Sequence, residues 1–185
     1  MPPEPNAPTI PLAELARRQD GPTVEQIWQA LLPAERQQAL QVFLASEKSN
    51  RQALIAVAAT LPMLHAFRKQ TIQQMPDGKL VEIVAKASKF PAGFLPDILL
   101  ALHLQGRTAM LQSFLDLLGI PHERGVINDA DAVSSAVTGE RLPAAVTRLR
   151  EQYPAREVSI YLLTLLAMDP ESWGGVRGIV AAMKE

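Results

Sequence analysis

Apolar residues recur every three or four positions along nearly the whole chain, from Leu12 to Met183. That spacing is typical of α-helices that bury one face. Alternation of apolar and polar residues, which would indicate a β-strand, never persists for more than a few positions. We therefore predict an all-α protein of about nine or ten helices and no strand.

The most apolar segment is residues 96–119. On a helical wheel, leucine and isoleucine cover most of the circumference of its first helix, and Asp97, Ala101 and Gln105 form a narrow weak side. A helix that is apolar nearly all round belongs in the interior of a fold, and at about ten residues it is too short to cross a bilayer, which takes roughly 20. A second helix follows and ends at Gly119, the expected C-terminal cap.

Several helix starts carry local signals. Thr23 with Gln26, and Ser49 with Gln52, have the spacing of a capping box. Prolines at 33 and 62 suit the first position of a helix. Asp169 is placed to cap a last helix that Pro170 begins.

Residues 79–105 and 142–168 resemble each other, because each has a helix, an aromatic-Pro-Ala sequence and then a nearly all-apolar helix. The aromatic-Pro-Ala sequences begin at Phe90 and Tyr153. The similarity predicts a short α-solenoid-like array of three-helix units, with an irregular helical bundle as the alternative. The repeat units would be residues 34–75, 79–119 and 142–184.

Five prolines in residues 1–11 predict a disordered tail, followed by a single helical domain over residues 12–185. The chain has no cysteine, which excludes disulfides, thiolate catalysis and cysteine-bound metal sites. No basic segment followed by an apolar run marks the N-terminus as a secretory signal, so a cytoplasmic location is expected. The net charge of −1 provides no field that would attract nucleic acid or a membrane surface.

Residues 120–127 are the most loop-like polar stretch of the folded region, and a short helix is predicted after them, ending at Val137. This loop holds His122, Glu123 and Arg124, which we single out as a candidate interaction surface because long loops are often functional. His122 with Glu123 is also the best candidate for proton transfer, whereas His103 falls on a predicted core position. The histidine spacing matches no metal motif and nucleotide-binding motifs are absent, so no cofactor is expected.

A second candidate surface is basic. Arg68, Lys69, Lys79, Lys86 and Lys89 lie within one stretch, and the last three recur at helical spacing. Such a face can contact phosphate. An acidic residue on the same stretch and the scarcity of aromatic residues favour a solvated helix face instead.

The absence of catalytic motifs favours a protein–protein interaction scaffold or adaptor without enzymatic activity, whose partner is another protein or a second copy of the chain. Two alternatives remain. One is a nucleic-acid-binding protein that uses the basic face. The other is an enzyme or small-ligand binder with a pocket near His103 and His122.

Overall fold

A computed structural model describes residues 10–65, 67–137 and 139–183. The predicted proline-rich tail, residues 1–11, lies outside these described residues except for Ile10 and Pro11. The all-α class is confirmed, with thirteen α-helices in the described part of the chain. They are α1 (Leu12–Arg17), α2 (Val24–Ala30), α3 (Pro33–Ser46), α4 (Asn50–Thr60), α5 (Lys69–Gln73), α6 (Asp77–Val84), α7 (Phe94–Ala101), α8 (Thr108–Leu118), α9 (Ala130–Ala136), α10 (Arg141–Gln152), α11 (Ala155–Met168), α12 (Pro170–Trp173) and α13 (Val176–Ala182).

Two predicted helices are broken, and the second break adds one α-helix to the number. The segment after Pro62 forms only a 3₁₀ turn, Pro62–Leu64, and helical structure resumes at α5. The last predicted helix is divided into α12 and α13 at Gly174 and Gly175. Glycine is a poor helix former, so a pair of them is a natural place for the break.

The prediction that the chain has no strand is wrong at one place. Residues His122–Glu123 (β1) pair antiparallel with Val126–Ile127 (β2), and Glu123 lies opposite Val126. Arg124 and Gly125 form the two-residue turn, with φ of 52° and 90°. Positive φ at both turn residues is the type I′ geometry that matches the twist of a hairpin. A strand pair this short is below the length at which alternation can be recognised in a sequence.

The chain forms two compact units, unit 1 from the described residues up to Leu31 and from Arg107 onward, and unit 2 over residues 32–106. In unit 1, α1 packs against α13 and α11, and α8 packs against α10. At its core the Phe114 ring meets Tyr161 edge-on, with centroids 5.5 Å apart, and lies 5.9 Å from the Trp173 ring. Burial raises the pKa of the Tyr161 hydroxyl, which keeps it neutral.

Three arginines of unit 1 donate to backbone carbonyls far away in the chain. Arg17 donates to Ala181 O at 2.9 Å, Arg156 to Ala30 O at 2.8 Å, and Arg177 to Gln19 O at 2.8 Å. In a solenoid each repeat contacts only its neighbours along the chain. The predicted array of three-helix units is therefore not confirmed, since the first helices of unit 1 pack against its last ones.

Unit 2 is built from helices α3 to α7, with α3 packed on α7 and α4 on α5 and α6. The rings of Phe43 and Phe94 meet edge-on at 5.7 Å. Arg51 on α4 forms a 2.7 Å ion pair with Asp77 and donates to Met75 O at 2.9 Å, which holds the start of α6 against α4. Within the described residues, no helix combines the length and hydrophobicity needed to span a bilayer.

Candidate functional site

A cleft of about 280 Å³ opens on the surface of unit 2, between α3 and the start of α4 on one side and α7 on the other. The α7 helix continues beyond Ala101 as a π-helical segment, Leu102–Gly106, which also contributes to the cleft. We call this cleft the α3–α7 groove. Its lining residues are Phe43, Ser46, Glu47, Asn50, Asp97, Leu100, Ala101, Leu104 and Gln105.

The apolar part of the α3–α7 groove includes an exposed leucine. Leu100 is 48% exposed, although its neighbours Ile98 and Leu99 are fully buried. Beside it are buried Phe43 and half-buried Leu104. The helix is predicted to lie in the interior apart from a weak side, and the structure buries Ile98 and Leu99 but also leaves Leu100 beside that weak side exposed.

The π-helical segment brings the end of this helix close to α3. A Cβ added at Gly106 would lie 3.0 Å from Val42 Cγ2, so the absence of a side chain at Gly106 favours this close approach. Single π-helical turns are rare in proteins and occur frequently at functional sites. Here the turn places Leu104 and Gln105 at the end of the α3–α7 groove.

Two carboxylates stand on the rim of the α3–α7 groove. Glu47 and Asp97 are both exposed, and Glu47 Oε2 accepts a 3.1 Å hydrogen bond from Ser49 Oγ. The Asn50 amide nitrogen donates inward, at 2.7 Å to Phe43 O and 2.8 Å to Ser46 Oγ. No Lys, Arg or His side chain is among the described residues that line the groove. The rim is therefore negatively charged and rich in hydrogen-bond acceptors.

The predicted loop surface lies in unit 1, where His122 has a structural role. Its Nε2 lies 3.2 Å from Asp116 Oδ1 on α8, and its Nδ1 accepts a 3.2 Å hydrogen bond from the Gly125 amide. Acceptance at Nδ1 assigns the proton to Nε2. With both ring nitrogens used to hold the hairpin, His122 is not placed to exchange a proton with a substrate. Glu123 and Arg124 are exposed at the turn.

The predicted basic face lies in unit 2 and is partly neutralised. Lys79 and Lys86 both contact Glu82, with N–O distances of 3.0 and 2.9 Å. The hydrogen bonds from Lys86 and Lys79 lower the pKa of the Glu82 carboxyl to about 2. Arg68 is the N-terminal cap residue of α5, Lys69 begins that helix, and Lys89 follows α6; all three are exposed.

His103 is buried within the π-helical segment of unit 2, at 3% exposure, as its predicted core position requires. It does not line the α3–α7 groove. His65 is exposed, and its Nε2 lies 3.2 Å from Thr60 O. The described residues contain no group of three or more histidine, aspartate and glutamate side chains arranged to hold a metal ion.

Sequence analysis did not select the residues of the α3–α7 groove, although part of the signal was present. Asp97, Ala101 and Gln105 are the weak side of the central helix, and all three line the groove. At about 100° per residue, Leu100 and Leu104 lie within roughly 60° of Asp97 on the helical wheel. The weak side therefore marked the exposed face, and these two leucines were on its border.

The fold and the groove define the chain as an all-α protein with a surface cleft that is lined by apolar and polar side chains and rimmed by two carboxylates. Comparisons with known protein families, with curated proteins and with solved structures give no match for this chain.

Proposed function

We propose that this chain is a cytoplasmic scaffold or adaptor without catalytic activity, and that it binds another protein through the α3–α7 groove. The observation that carries the proposal is the 48% exposure of Leu100 inside a concave surface. Exposed apolar surface rimmed by polar residues is a common mark of a protein-binding site. Helical partners bind such grooves by inserting apolar side chains.

The two alternatives have less support. A nucleic-acid-binding face would need unpaired basic groups, whereas Lys79 and Lys86 share Glu82. A catalytic pocket would need a histidine with a ring nitrogen available to a substrate, and His122 uses both of its nitrogens within unit 1. Neither His103 nor His122 lines the α3–α7 groove.

Site-specific photocrosslinking tests the proposal. A photoreactive amino acid at position 100 in the full chain, expressed in its native cells, should give discrete covalent adducts with another protein. The matched control is position 168, because Met168 is 39% exposed but belongs to unit 1. Adducts at 100 should disappear when the variant also carries Leu104→Asp. The absence of adducts at position 100, or the same adducts at both positions, would overturn the proposal.

A further inference from the structure

The charge of the α3–α7 groove indicates what kind of partner it accepts. Glu47 and Asp97 are exposed on its rim, and neither forms an ion pair within the described residues. Lys48 is adjacent to Glu47 in the chain but does not line the groove. A partner that approaches these two carboxylates therefore meets negative charge that the chain itself does not neutralise, and complementary charge favours its association.

The hydrogen-bonding groups on the α3 and α4 side of the groove point to the same chemistry. Asn50 uses its amide nitrogen for Phe43 O and Ser46 Oγ, and its amide oxygen receives no hydrogen bond from the described residues. Ser46 Oγ already donates to Phe43 O at 2.8 Å. The groups on this side of the groove that are available to hydrogen-bond with a partner are therefore the carboxylate oxygens of Glu47 and the amide oxygen of Asn50. Both accept hydrogen bonds, so the partner must supply the donors. Lysine and arginine side chains supply both donors and positive charge.

One side of the groove is formed by a single helix face, whose apolar positions are Leu100, Ala101 and Leu104. Asp97, Leu100 with Ala101, and Leu104 with Gln105 lie on successive turns of the same helix. These positions extend over about 10 Å at 1.5 Å rise per residue. A partner helix that lies along them would place apolar residues at i and i+3 or i+4 over Leu100 and Leu104.

We infer that the α3–α7 groove binds a basic amphipathic helix of another protein, whose leucine-type side chains pack on Leu100 and Leu104 while its Lys or Arg side chains pair with Glu47 and Asp97. This inference rests on the proposed function and adds the chemistry of the partner. The recognition mode is a helix in a groove, with affinity from the apolar contact and selectivity from charge.

A yeast-display library of 16-residue helices with random sequence provides the test. The library is selected on the full chain and counter-selected on the Leu100→Asp variant, whose thermal unfolding is checked beforehand by circular dichroism. Enriched helices should carry net positive charge and apolar residues at three- and four-residue spacing. Enrichment of neutral or acidic helices, or no enrichment over the variant, would overturn the inference.

A selected peptide is then titrated against charge variants by fluorescence anisotropy. Glu47→Gln with Asp97→Asn should weaken binding about tenfold at low salt, the size expected for two exposed ion pairs. The difference should largely disappear in about 1 M NaCl, where the Debye length is about 3 Å. The matched control, Glu25→Gln with Glu151→Gln, removes the same charge from exposed positions of unit 1 and should leave binding unchanged. Equal weakening by both pairs would contradict the assigned site.

The results separate this inference from the proposed function. Adducts at position 100 combined with selection of acidic helices would retain the scaffold role and reject the basic partner. Absence of adducts at position 100 would reject the scaffold role itself. A dimer detected by light scattering and dissociated by Leu100→Asp would identify a second copy of the chain as the occupant and overturn the inference.

Discussion

The Arg107 guanidinium lies 3.5 Å from the Glu157 carboxylate in unit 1, and the Arg107 side chain is only 5% exposed. Arg107 precedes α8, and Glu157 lies in the first turn of α11. An arginine cannot lose its charge to escape burial, so a nearby carboxylate is needed to compensate for the lost solvation. The ion pair thereby fixes the start of α8 relative to α11.

Removal of this carboxylate should destabilise unit 1. We expect Glu157→Gln to lower the free energy of unfolding by roughly 1–3 kcal/mol, because a buried charge loses its compensating partner. Denaturant unfolding followed by circular dichroism measures the change. Glu151→Gln is the control: Glu151 is exposed on α10, and surface changes stay within about 0.5 kcal/mol. Equal stability of the two variants would contradict the role of the pair.

Two adjacent leucines of α7 should respond differently to truncation. Leu99 is fully buried, so Leu99→Ala should destabilise the protein by about 2–5 kcal/mol. Leu100→Ala should change stability by less than about 1 kcal/mol, since its side chain is half exposed and leaves no closed cavity. Chemical denaturation compares them directly. A loss at Leu100 as large as that at Leu99 would show that this face is covered in the folded chain.

The hairpin turn should tolerate only glycine at position 125. A Cβ there would overlap the Leu111 side chain, and the φ of 90° is unfavourable for any other residue. Gly125→Ala should therefore lower the free energy of unfolding by about 2–5 kcal/mol, because backbone strain and overpacking add together. Gly139→Ala separates the two effects, because Gly139 has a φ of 66° but open space around its Cα. Gly139→Ala should lower the free energy of unfolding by only about 1–2 kcal/mol. Thermal melts of both variants measure the difference. Similar losses for both variants would refute the contact with Leu111.

The carboxyl of Glu82 should titrate at unusually low pH. Its pKa in the folded chain is lowered from 4.5 to about 2 by Lys86 and Lys79, so the stabilisation from these pairs is present above pH 4.5 and is lost as the pH falls toward 2. NMR titration of the side-chain carboxyl measures this pKa. In about 1 M NaCl the pKa should rise toward 4.5, because screening weakens exposed ion pairs. The Lys79→Gln, Lys86→Gln double variant should raise it at low salt, and an ordinary pKa in the unmodified chain would disprove the pairing.

Asp169 should act as the N-terminal cap of α12. Its Oδ1 accepts a 3.1 Å hydrogen bond from the Ser172 amide, and hydrogen bonds from Ser172 lower the pKa of the Asp169 carboxyl. At pH 7, Asp169→Ala should lower stability by about 1 kcal/mol, whereas Asp169→Asn should be nearly neutral. Because the pKa of Asp169 is lowered in the folded state, any greater stability of the unmodified chain over Asp169→Asn should shrink as the pH falls through that pKa. Thermal melts at pH 7 and at a series of lower pH values test both expectations. Equal stability of the Ala and Asn variants at pH 7 would argue against the cap.

Local signals predicted helix ends well where the capping side chain had no competitor. Thr23 and Gln26 form the reciprocal capping box, at 3.3 Å from Gln26 N to Thr23 Oγ1 and 3.1 Å from Thr23 N to Gln26 Oε1. The box predicted at Ser49 is wrong, because Ser49 Oγ donates to Glu47 and Ser49 itself has helical dihedral angles. A side chain with two possible partners within a few residues cannot be assigned from spacing alone.

Burial of apolar helix faces was harder to predict than helix formation. Periodicity indicates which residues share a face, but exposure of Leu100 depends on whether another element covers that face. The pairing of Arg107 with Glu157 left no sequence signal, since the two residues are far apart in the chain and are joined only by the packing of α8 and α11. The groove and the ion pair are thus consequences of tertiary arrangement.

The discontinuity of unit 1 affects the order in which a growing chain can fold. Helix α1 is synthesised before unit 2, whereas its partner α13 is synthesised only after all of unit 2. At roughly 5–20 residues per second, α1 waits on the order of ten seconds for α13. During that interval the apolar side chains of α1 have no native partner on α13, whereas the last helix of unit 2 is synthesised well before α13. Unit 2 is therefore ready to fold during translation, and completion of unit 1 is a late event.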